Sequence, residues 1–265
     1  MQPEYLEVRG LTVSFDGFKA VDGVDLTVFQ SDLRFLIGPN GAGKTTIIDA
    51  LTGLVRATGS ARYGAEQLVG RKSHQIARLG VGRTFQTASV FTELTVLQNL
   101  DIAAGARRSP WAMLGVRRRV PEVVQQALET TALIDQAGKP AGVLSHGQKQ
   151  WLEIGMLLVQ DSRVLLLDEP VAGMSADERE ATGELLKRVG ADRTVVVVEH
   201  DMDFMRTWAD SVTVLHQGKV LSEGSVAEVQ ADARVQEVYL GRSHGTGAAA
   251  VVEAEVLSLL TEEAS

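Results

Sequence analysis

The sequence predicts an α/β fold with a parallel sheet at its centre, an N-terminal antiparallel β layer and an inserted helical subdomain. Two almost wholly apolar runs, residues 164–167 and 194–198, are typical of parallel strands covered on both faces. A third short run, residues 34–37, leads into a glycine-rich loop and then into a helical segment. Strands that alternate with helices along a chain indicate a parallel sheet flanked by helices.

Composition excludes several classes of protein. The chain has 265 residues, enough for one large α/β domain or a domain with a small subdomain, and its hydrophobic fraction of 45% allows a sizeable core. The absence of cysteine excludes disulfides, thiolate zinc sites and a cysteine nucleophile. A formal net charge of -8 argues against a general nucleic-acid binder, which usually has a basic surface.

The ends and the apolar runs bear on localisation. The N-terminus lacks the basic segment of a secretory signal, and the longest apolar runs are too short to span a bilayer. We therefore expect a protein that is cytoplasmic or lies on the cytoplasmic face of a larger assembly. Any membrane association is expected to come through a partner.

The N-terminal segment has the pattern of a β layer. Residues 5–29 alternate between apolar and polar positions like antiparallel strands, with a turn at Asp16-Gly17. A further turn and strand are predicted at residues 58–64, after the first helix. The layer is therefore expected to lead into the glycine-rich loop.

That loop has the pattern G-x-x-x-x-G-K-[ST], which wraps phosphate groups: Gly38, Pro39, Asn40, Gly41, Ala42, Gly43, Lys44 and Thr45. Glycines let the main chain approach the phosphates, because a Cβ would obstruct both the approach and a positive φ. Lys44 supplies a cation for the outer phosphates, the Thr45 hydroxyl can bind Mg²⁺, and Thr46 opens a helix whose N-terminus attracts anions. The alternative is a turn that carries Lys-Thr by chance. The flanking strand and helix favour binding of a nucleoside triphosphate.

Beyond residue 88 the apolar spacing becomes helical. Residues 95–100 begin a helix, and residues 121–133 carry apolar side chains on one helical face. We therefore assign residues 89–153 to a helical subdomain between core segments 4–88 and 154–240 of one domain. The basic residues within 107–119 have two interpretations: contact with a partner or with anionic lipid, or a solvated loop between helices. The solvated loop is favoured, because charge runs are usually exposed.

The apolar run 164–167 ends in Asp168-Glu169, the second strong motif. Ligands bind outside the carboxyl ends of parallel strands, so both carboxylates are placed where chemistry occurs. Asp168 suits holding Mg²⁺ through its water shell, and Glu169 suits polarising the water that attacks a γ-phosphate. The alternative is an accidental acidic pair at a polar strand end, which the upstream phosphate loop disfavours.

Gln86 and His200 are weaker candidates. Gln86 follows a predicted strand, and its amide can contact a metal or the water on it. His200 follows the apolar run 194–198, where an imidazole can hydrogen-bond a γ-phosphate. Taken alone, each is more often an ordinary surface residue. No combination of His, Asp and Glu has the spacing of a zinc site.

The segment Leu144–Gln148, with the sequence LSHGQ, precedes a helix predicted to begin near Trp151. Serine and glycine at a helix N-terminus form a second anion-binding device, so two copies of such a chain can bind one nucleotide between them. On these motifs residues 4–240 resemble the ATP-binding-cassette ATPases, whose motifs follow the same order: phosphate loop, Gln86, signature, Asp168-Glu169 and His200.

The resemblance implies a RecA-like P-loop NTPase core and ATP hydrolysis coupled to transmembrane transport. Glu169 is similar to the catalytic carboxylate, His200 to the switch histidine and Phe15 to the aromatic residue that stacks on adenine. The implied Mg²⁺ ligands are Thr45, Gln86 and Asp168. The signature residues that would contact ATP held by the opposite subunit are Ser145, Gly147 and Gln148.

Longer segments resemble the importer group for branched-chain amino acids and urea: Gly80–Gln86, Leu144–Met156, Glu169–Met174 and Val238–Gly241. His146, in place of the usual signature glycine, and Lys149-Gln150-Trp151 most resemble the urea-type subunit. Urea or a related short amide is therefore the expected cargo, with branched-chain amino acids as the alternative. In that group two different ATPases usually pair beneath two membrane permease subunits, and an extracytoplasmic binding protein delivers substrate. We expect these partners, favour a heterodimer and expect no nucleic acid.

Two rival functions remain. One is a cassette ATPase that acts on nucleic acid or the ribosome, although such proteins usually have a coiled coil or tandem cassettes. The other is a P-loop kinase, which has no use for Ser145 and Gly147.

Ser175 stands where the resembled family commonly has aspartate, so the contacts between subunits at this position are in doubt. Residues 241–265 are predicted to be a linker and a C-terminal tail.

Overall fold

A computed structural model of the chain describes residues 5–84, 89–105 and 120–240. Its strands are β1 (Tyr5–Phe15), β2 (Phe18–Phe29), β3 (Leu33–Ile37), β4 (Thr58–Tyr63), β5 (Glu66–Gln67), β6 (Val81–Arg83), β7 (Val164–Asp168), β8 (Thr194–Val198), β9 (Ser211–His216) and β10 (Lys219–Gly224). Its helices are α1 (Lys44–Leu51), α2 (Ser73–Arg78), α3 (Val96–Gly105), α4 (Glu122–Thr130), α5 (His146–Val159), α6 (Ala176–Gly190), α7 (Met202–Trp208), α8 (Val226–Ala231) and α9 (Ala233–Leu240). Within these ranges no helix is both long enough and apolar enough to cross a membrane.

The main sheet has six strands in the spatial order β10, β9, β3, β8, β7, β6. Neighbours from β9 to β6 pair in parallel, and β10 pairs antiparallel with β9. Every residue of β3, β7 and β8 is buried, which explains why these runs are apolar without alternation. The segments that follow these three strands meet at the carboxyl edge of the sheet, where ligands bind in such folds.

A second, antiparallel sheet has the strand order β2, β1, β4, β5. Side chains of β3, β7 and β8 alternate between two cores, since successive residues of a strand point to opposite faces. Leu36, Leu166 and Val196 pack with α1 and the antiparallel sheet. Phe35, Leu165 and Val195 pack in the other core, with helices α3 to α7. The predicted α/β class with an antiparallel β layer is confirmed.

Helices α3 and α4 pack against α5, the helix that follows the signature segment. Helix α5 begins at His146, five residues before the start predicted near Trp151. The prediction was late because the first turn is polar, whereas Ser145 starts the helix through a capping box with Gln148. The division at residue 153 stays a prediction, and α5 runs continuously through that position.

Gly183 in α6 makes room for Trp208 of α7, and its replacement is our first testable prediction. A Cβ on Gly183 would lie 2.0 Å from the indole of Trp208. Overpacking typically costs about 1–3 kcal/mol, which outweighs the ~1 kcal/mol that alanine gains over glycine inside a helix. We expect Gly183→Ala to lower the free energy of unfolding, measured by urea denaturation, because Trp208 has to move.

Gly190 provides the matched control in the same helix. A Cβ there would meet Val195 and Leu33 at 3.9 and 4.0 Å, which is ordinary contact. Gly190→Ala should therefore leave the free energy of unfolding unchanged or raise it. Equal stability of the Gly183→Ala and Gly190→Ala proteins would contradict the packing argument.

Candidate nucleotide site

The glycine-rich loop connects β3 to α1 at the carboxyl edge of the main sheet. A Cβ on Gly38 would lie 2.2 Å from the carbonyl oxygen of Leu215, and one on Gly43 would lie 2.5 Å from that of Ala20. Both glycines also have positive φ, 149° and 102°. The loop can therefore reach this compact form only with glycine at both positions. The predicted phosphate contacts all lie in it or in the first turn of α1: Gly38, Pro39, Asn40, Gly41, Ala42, Gly43, Lys44, Thr45 and Thr46.

Lys44, the first residue of α1, folds its side chain back over the loop. Its Nζ donates to the carbonyl oxygens of Gly38 at 2.6 Å and Pro39 at 3.2 Å. Burial lowers the pKa of Lys44, while the Glu169 and Asp168 carboxylates act in the opposite direction. Two carbonyl oxygens thus hold the ammonium, and two carboxylates lie near enough to act on its charge. The cation therefore lies over the loop, where it can meet an anion that binds there.

Asp168 ends β7 beside the loop and is almost fully buried. Neither of its carboxylate oxygens has a hydrogen-bond partner among the residues that the structure describes, and the nearest ion-pair contact is Arg83 Nη2 at 3.7 Å. Burial raises the pKa of Asp168, whereas the Arg83 guanidinium and the Thr45 hydroxyl act to lower it. A buried carboxylate with unused oxygens beside a hydroxyl fits a hard cation such as Mg²⁺.

Glu169 adopts a backbone conformation that is unusual for a residue with a side chain, with φ at 51°. Such strain is commonly found at functional sites. Its backbone N–H donates to the carbonyl oxygen of Val198 at 2.9 Å, which ties the loop after β7 to the end of β8. Oε1 of Glu169 lies 3.6 Å from Nδ1 of His200, so the structure brings these two predicted residues together. The imidazole is mostly exposed, whereas the carboxylate is about one-third exposed.

Sequence reasoning missed Arg83, the last residue of β6. Its guanidinium forms a short ion pair with Asp49 of α1 and faces Asp168 on β7. Arg83 therefore joins the helix of the phosphate loop to the strand that carries Asp168. The available signal was a charged residue at the end of a predicted strand, which gives no indication of its partners.

Phe15 lies at the turn between β1 and β2, opposite Phe18 in the strand register. Both rings are exposed, Phe15 by 48% and Phe18 by 69%. Strand β2 then passes the phosphate loop, where the Ala20 carbonyl approaches Gly43. The hairpin that carries Phe15 therefore borders the loop, and its ring is free to stack on a flat ligand.

The signature residues lie at the start of α5. The Ser145 hydroxyl accepts the backbone N–H of Gln148 at 3.1 Å and donates to Oε1 of Glu178 at 2.7 Å. This donation, with a backbone hydrogen bond from Ser175, holds the pKa of Glu178 below its ordinary value. A Cβ on Gly147 would lie 2.9 Å from the same oxygen of Glu178. The helix start thus holds a carboxylate of its own chain, a contact that sequence reasoning missed.

Among the described residues, the two anion-binding devices predicted from the sequence are not bonded to each other. Over the described ranges, no hydrogen bond or ion pair joins residues 145–148 to the phosphate loop or to Asp168 and Glu169. Gln86, predicted as a metal ligand, lies outside the described residues, as do the basic residues within 107–119 and the tail beyond residue 240. One chain therefore presents the two anion-binding devices separately.

Comparison with known proteins agrees with this geometry. Residues 21–172 match the ABC transporter family, and residues 219–245 match the branched-chain amino acid ATP-binding cassette transporter family. The chain is 36% identical over 256 residues to the high-affinity branched-chain amino acid transport ATP-binding protein BraF of Pseudomonas aeruginosa, covering 92% of this chain and all of BraF. It is 35% identical over 255 residues to the corresponding Escherichia coli protein LivG, with the same coverage.

Solved structures show the same relationship. The ADP conformation of MJ1267, an ATP-binding cassette of an ABC transporter, has a TM-score of 0.78 and 30% identity and covers 90% of this chain and 99% of that one. A nucleotide-free cassette has a TM-score of 0.77 and 29% identity, with coverage of 89% and 98%. The predicted fold and ATPase class are confirmed. The chain therefore belongs to the ABC transporter family as an ATP-binding cassette ATPase subunit, and its relatives BraF and LivG are branched-chain amino acid transport proteins.

Proposed function

We propose that the chain is the ATP-hydrolysing subunit of an importer for branched-chain amino acids. The observation that carries this proposal is the match of residues 219–245 to the branched-chain amino acid family. That segment lies outside the general ABC transporter match. The full-length likeness to BraF and LivG supports the same cargo.

In the proposed site the phosphates of ATP lie in the loop between β3 and α1. Lys44 leaves the two loop carbonyls and binds the outer phosphates, and the backbone N–H groups of the loop and of Thr45 and Thr46 bind the others. Phe15 stacks on the adenine. The positive φ of the loop glycines supports this role, because it turns successive N–H groups toward one anion.

We assign Mg²⁺ to Thr45 and Asp168, with Gln86 as the third protein contact. The unused oxygens of the buried Asp168 carboxylate support this assignment. The ion would neutralise charge on the phosphates. Glu169 orients the attacking water and accepts its proton, and His200 holds the γ-phosphate side of the site. Their separation of 3.6 Å supports a joint role.

Each site is completed by a second ATPase subunit, whose signature contacts the γ-phosphate. On this chain the corresponding residues are Ser145, Gly147 and Gln148. The Ser145 hydroxyl has one proton and gives it to Glu178 in the isolated chain, so it must exchange that partner for the phosphate. ATP then binds best across the closed pair, so binding favours closure and hydrolysis releases it.

The proposed partners follow from this arrangement. They are a second ATPase subunit, with a heterodimer favoured, two membrane permease subunits and an extracytoplasmic substrate-binding protein. The chain would then lie peripherally on the cytoplasmic face of the membrane.

Urea is the second candidate cargo. The observation that favours it is His146 within the signature, together with Lys149-Gln150-Trp151. Helix α5 includes all four residues, and among the described residues no hydrogen bond joins any of them to the loop between β3 and α1. This local resemblance is weaker support than the likeness over the full length.

Uptake of labelled leucine and labelled urea, by cells with and without this chain, tests the cargo. We expect loss of the chain to reduce leucine uptake and to leave urea uptake unchanged, with recovery when the gene is restored. A Glu169→Gln copy serves as the control, since it should assemble without driving transport. If only urea uptake is lost, urea replaces branched-chain amino acids as the cargo. If neither uptake is lost, both candidate cargoes are wrong.

A further inference from the structure

Glu199 is a buried carboxylate that the mechanism above does not use. It follows β8 directly and is 1% exposed. Burial raises the pKa of Glu199, and the backbone N–H groups that it accepts act to lower it. A carboxylate is rarely kept in such a position without bonds to both oxygens, because burial of a polar group is costly.

The two oxygens of Glu199 bind two different loops. Oε1 accepts the backbone N–H of Val171, in the loop after β7, at 3.2 Å. Oε2 accepts the backbone N–H of His200 at 3.1 Å and approaches that of Asp201 at 3.5 Å. One side chain thus connects the segment after β7 to the segment after β8.

Those two segments carry the two proposed catalytic side chains. Glu169 lies two residues before Val171, and His200 is itself a donor to Glu199. The side chains of Glu169 and His200 meet at 3.6 Å, and Nδ1 of His200 lies 3.9 Å from Oε2 of Glu199. The imidazole is therefore placed between two carboxylates, one at the site and one behind it.

We propose that Glu199 is a positioning residue for ATP hydrolysis, which sets the distance between Glu169 and His200 by holding their loops together. The inference rests on the roles proposed above for these two residues. The strained backbone at Glu169 strengthens the argument, since a conformation of this kind persists only where its surroundings hold it. In the described structure Glu199 itself forms no hydrogen bond or ion pair with the phosphate loop.

The chemistry of the side chain defines two variants. Glu199→Gln keeps the shape but replaces one acceptor oxygen with an NH₂ group, which faces a backbone N–H and cannot accept it. Glu199→Asp keeps the charge but is one methylene shorter, so it cannot reach both loops. Either change should release one loop and leave the glycine-rich loop intact.

The test measures ATP hydrolysis and ATP binding by the full chain in its assembled transporter. We expect both variants to lower kcat by at least about tenfold and to leave KM and the Kd of a fluorescent ATP analogue within about twofold. A residue that served only the general stability of the fold would change kcat and binding together, or neither. Asp210→Asn is the matched control, since Asp210 accepts the N–H of Leu33 at the opposite edge of the sheet. Its kcat should be unchanged.

Two comparisons make the outcome decisive. Glu169→Gln and His200→Ala, measured in parallel, separate this inference from the assignment of the site. Retained turnover in both would remove the catalytic roles on which the inference depends. If those two lose turnover while folded Glu199→Gln and Glu199→Asp keep a wild-type kcat, the positioning role is wrong. Failure of both Glu199 variants to fold would assign Glu199 to stability and would also overturn the proposal.

Discussion

Glu169→Gln should abolish the hydrolysis of ATP while ATP still binds. The amide has the shape of the carboxylate but cannot take a proton from water, and loss of a general base typically lowers the rate about 10²–10⁴-fold. The loop between β3 and α1 is untouched, so Lys44 still binds the phosphates. The replacement also removes the charge that lies 3.6 Å from His200, which adds to the loss.

The measurement is phosphate release by the assembled transporter, with nucleotide affinity measured on the same sample. Glu184→Gln is the charge-matched control, because Glu184 lies on the exposed face of α6. We expect it to hydrolyse ATP at the wild-type rate. In the Glu169→Gln protein the closed pair of subunits should accumulate with ATP bound. Turnover within a factor of a few of wild type would show that another group activates the water.

Lys44→Ala should have the largest effect on binding. Hydrogen bonds to charged groups contribute about 1.5–3 kcal/mol each, so loss of the ammonium should weaken ATP binding at least tenfold. The variant also removes the bonds from Nζ to the carbonyls of Gly38 and Pro39, which leaves the loop less ordered. Hydrolysis should fall with binding, in contrast to Glu169→Gln, where the two separate.

Binding of a fluorescent ATP analogue to the full chain measures this effect. Lys187→Ala is the matched control, since it removes the same charge from a lysine that pairs with Asp210 on the surface. Its affinity should equal that of the wild type. An unchanged affinity in Lys44→Ala would contradict the assignment of the loop, because no other predicted residue supplies a cation there.

Several parts of the site were predictable because their information is local in the sequence. The phosphate loop is a run of eight residues whose glycines meet requirements of their own backbone, as the positions of Gly38 and Gly43 demonstrate. Asp168 and Glu169 were predictable because they end an apolar run of strand length. The meeting of Glu169 with His200 was not predicted, because it depends on β7 and β8 being neighbours in the parallel sheet.

Other parts depend on pairs that are distant in sequence. Arg83 meets Asp49 and Asp168 across three elements, and no spacing along the chain relates them. Ser145 was predicted as a ligand of phosphate, but not as a partner of Glu178, thirty-three residues further on. Ser175 and Glu178 form the capping box at the start of α6, and the same carboxylate also accepts the Ser145 hydroxyl at the start of α5.

The sequence by itself determined the fold class, the position of the phosphate loop and the identity of the carboxylates at the end of β7. These depend on period, run length and the backbone freedom of glycine, which are properties of neighbouring residues. Only the tertiary structure decided which charges face each other. Strand order brings β6, β7 and β8 together, and a buried carboxylate is stable only where hydrogen-bond donors or cations surround it. Glu199 shows the difference, because its position after β8 is visible in the sequence, while its hold on the Glu169 loop exists only in the folded chain.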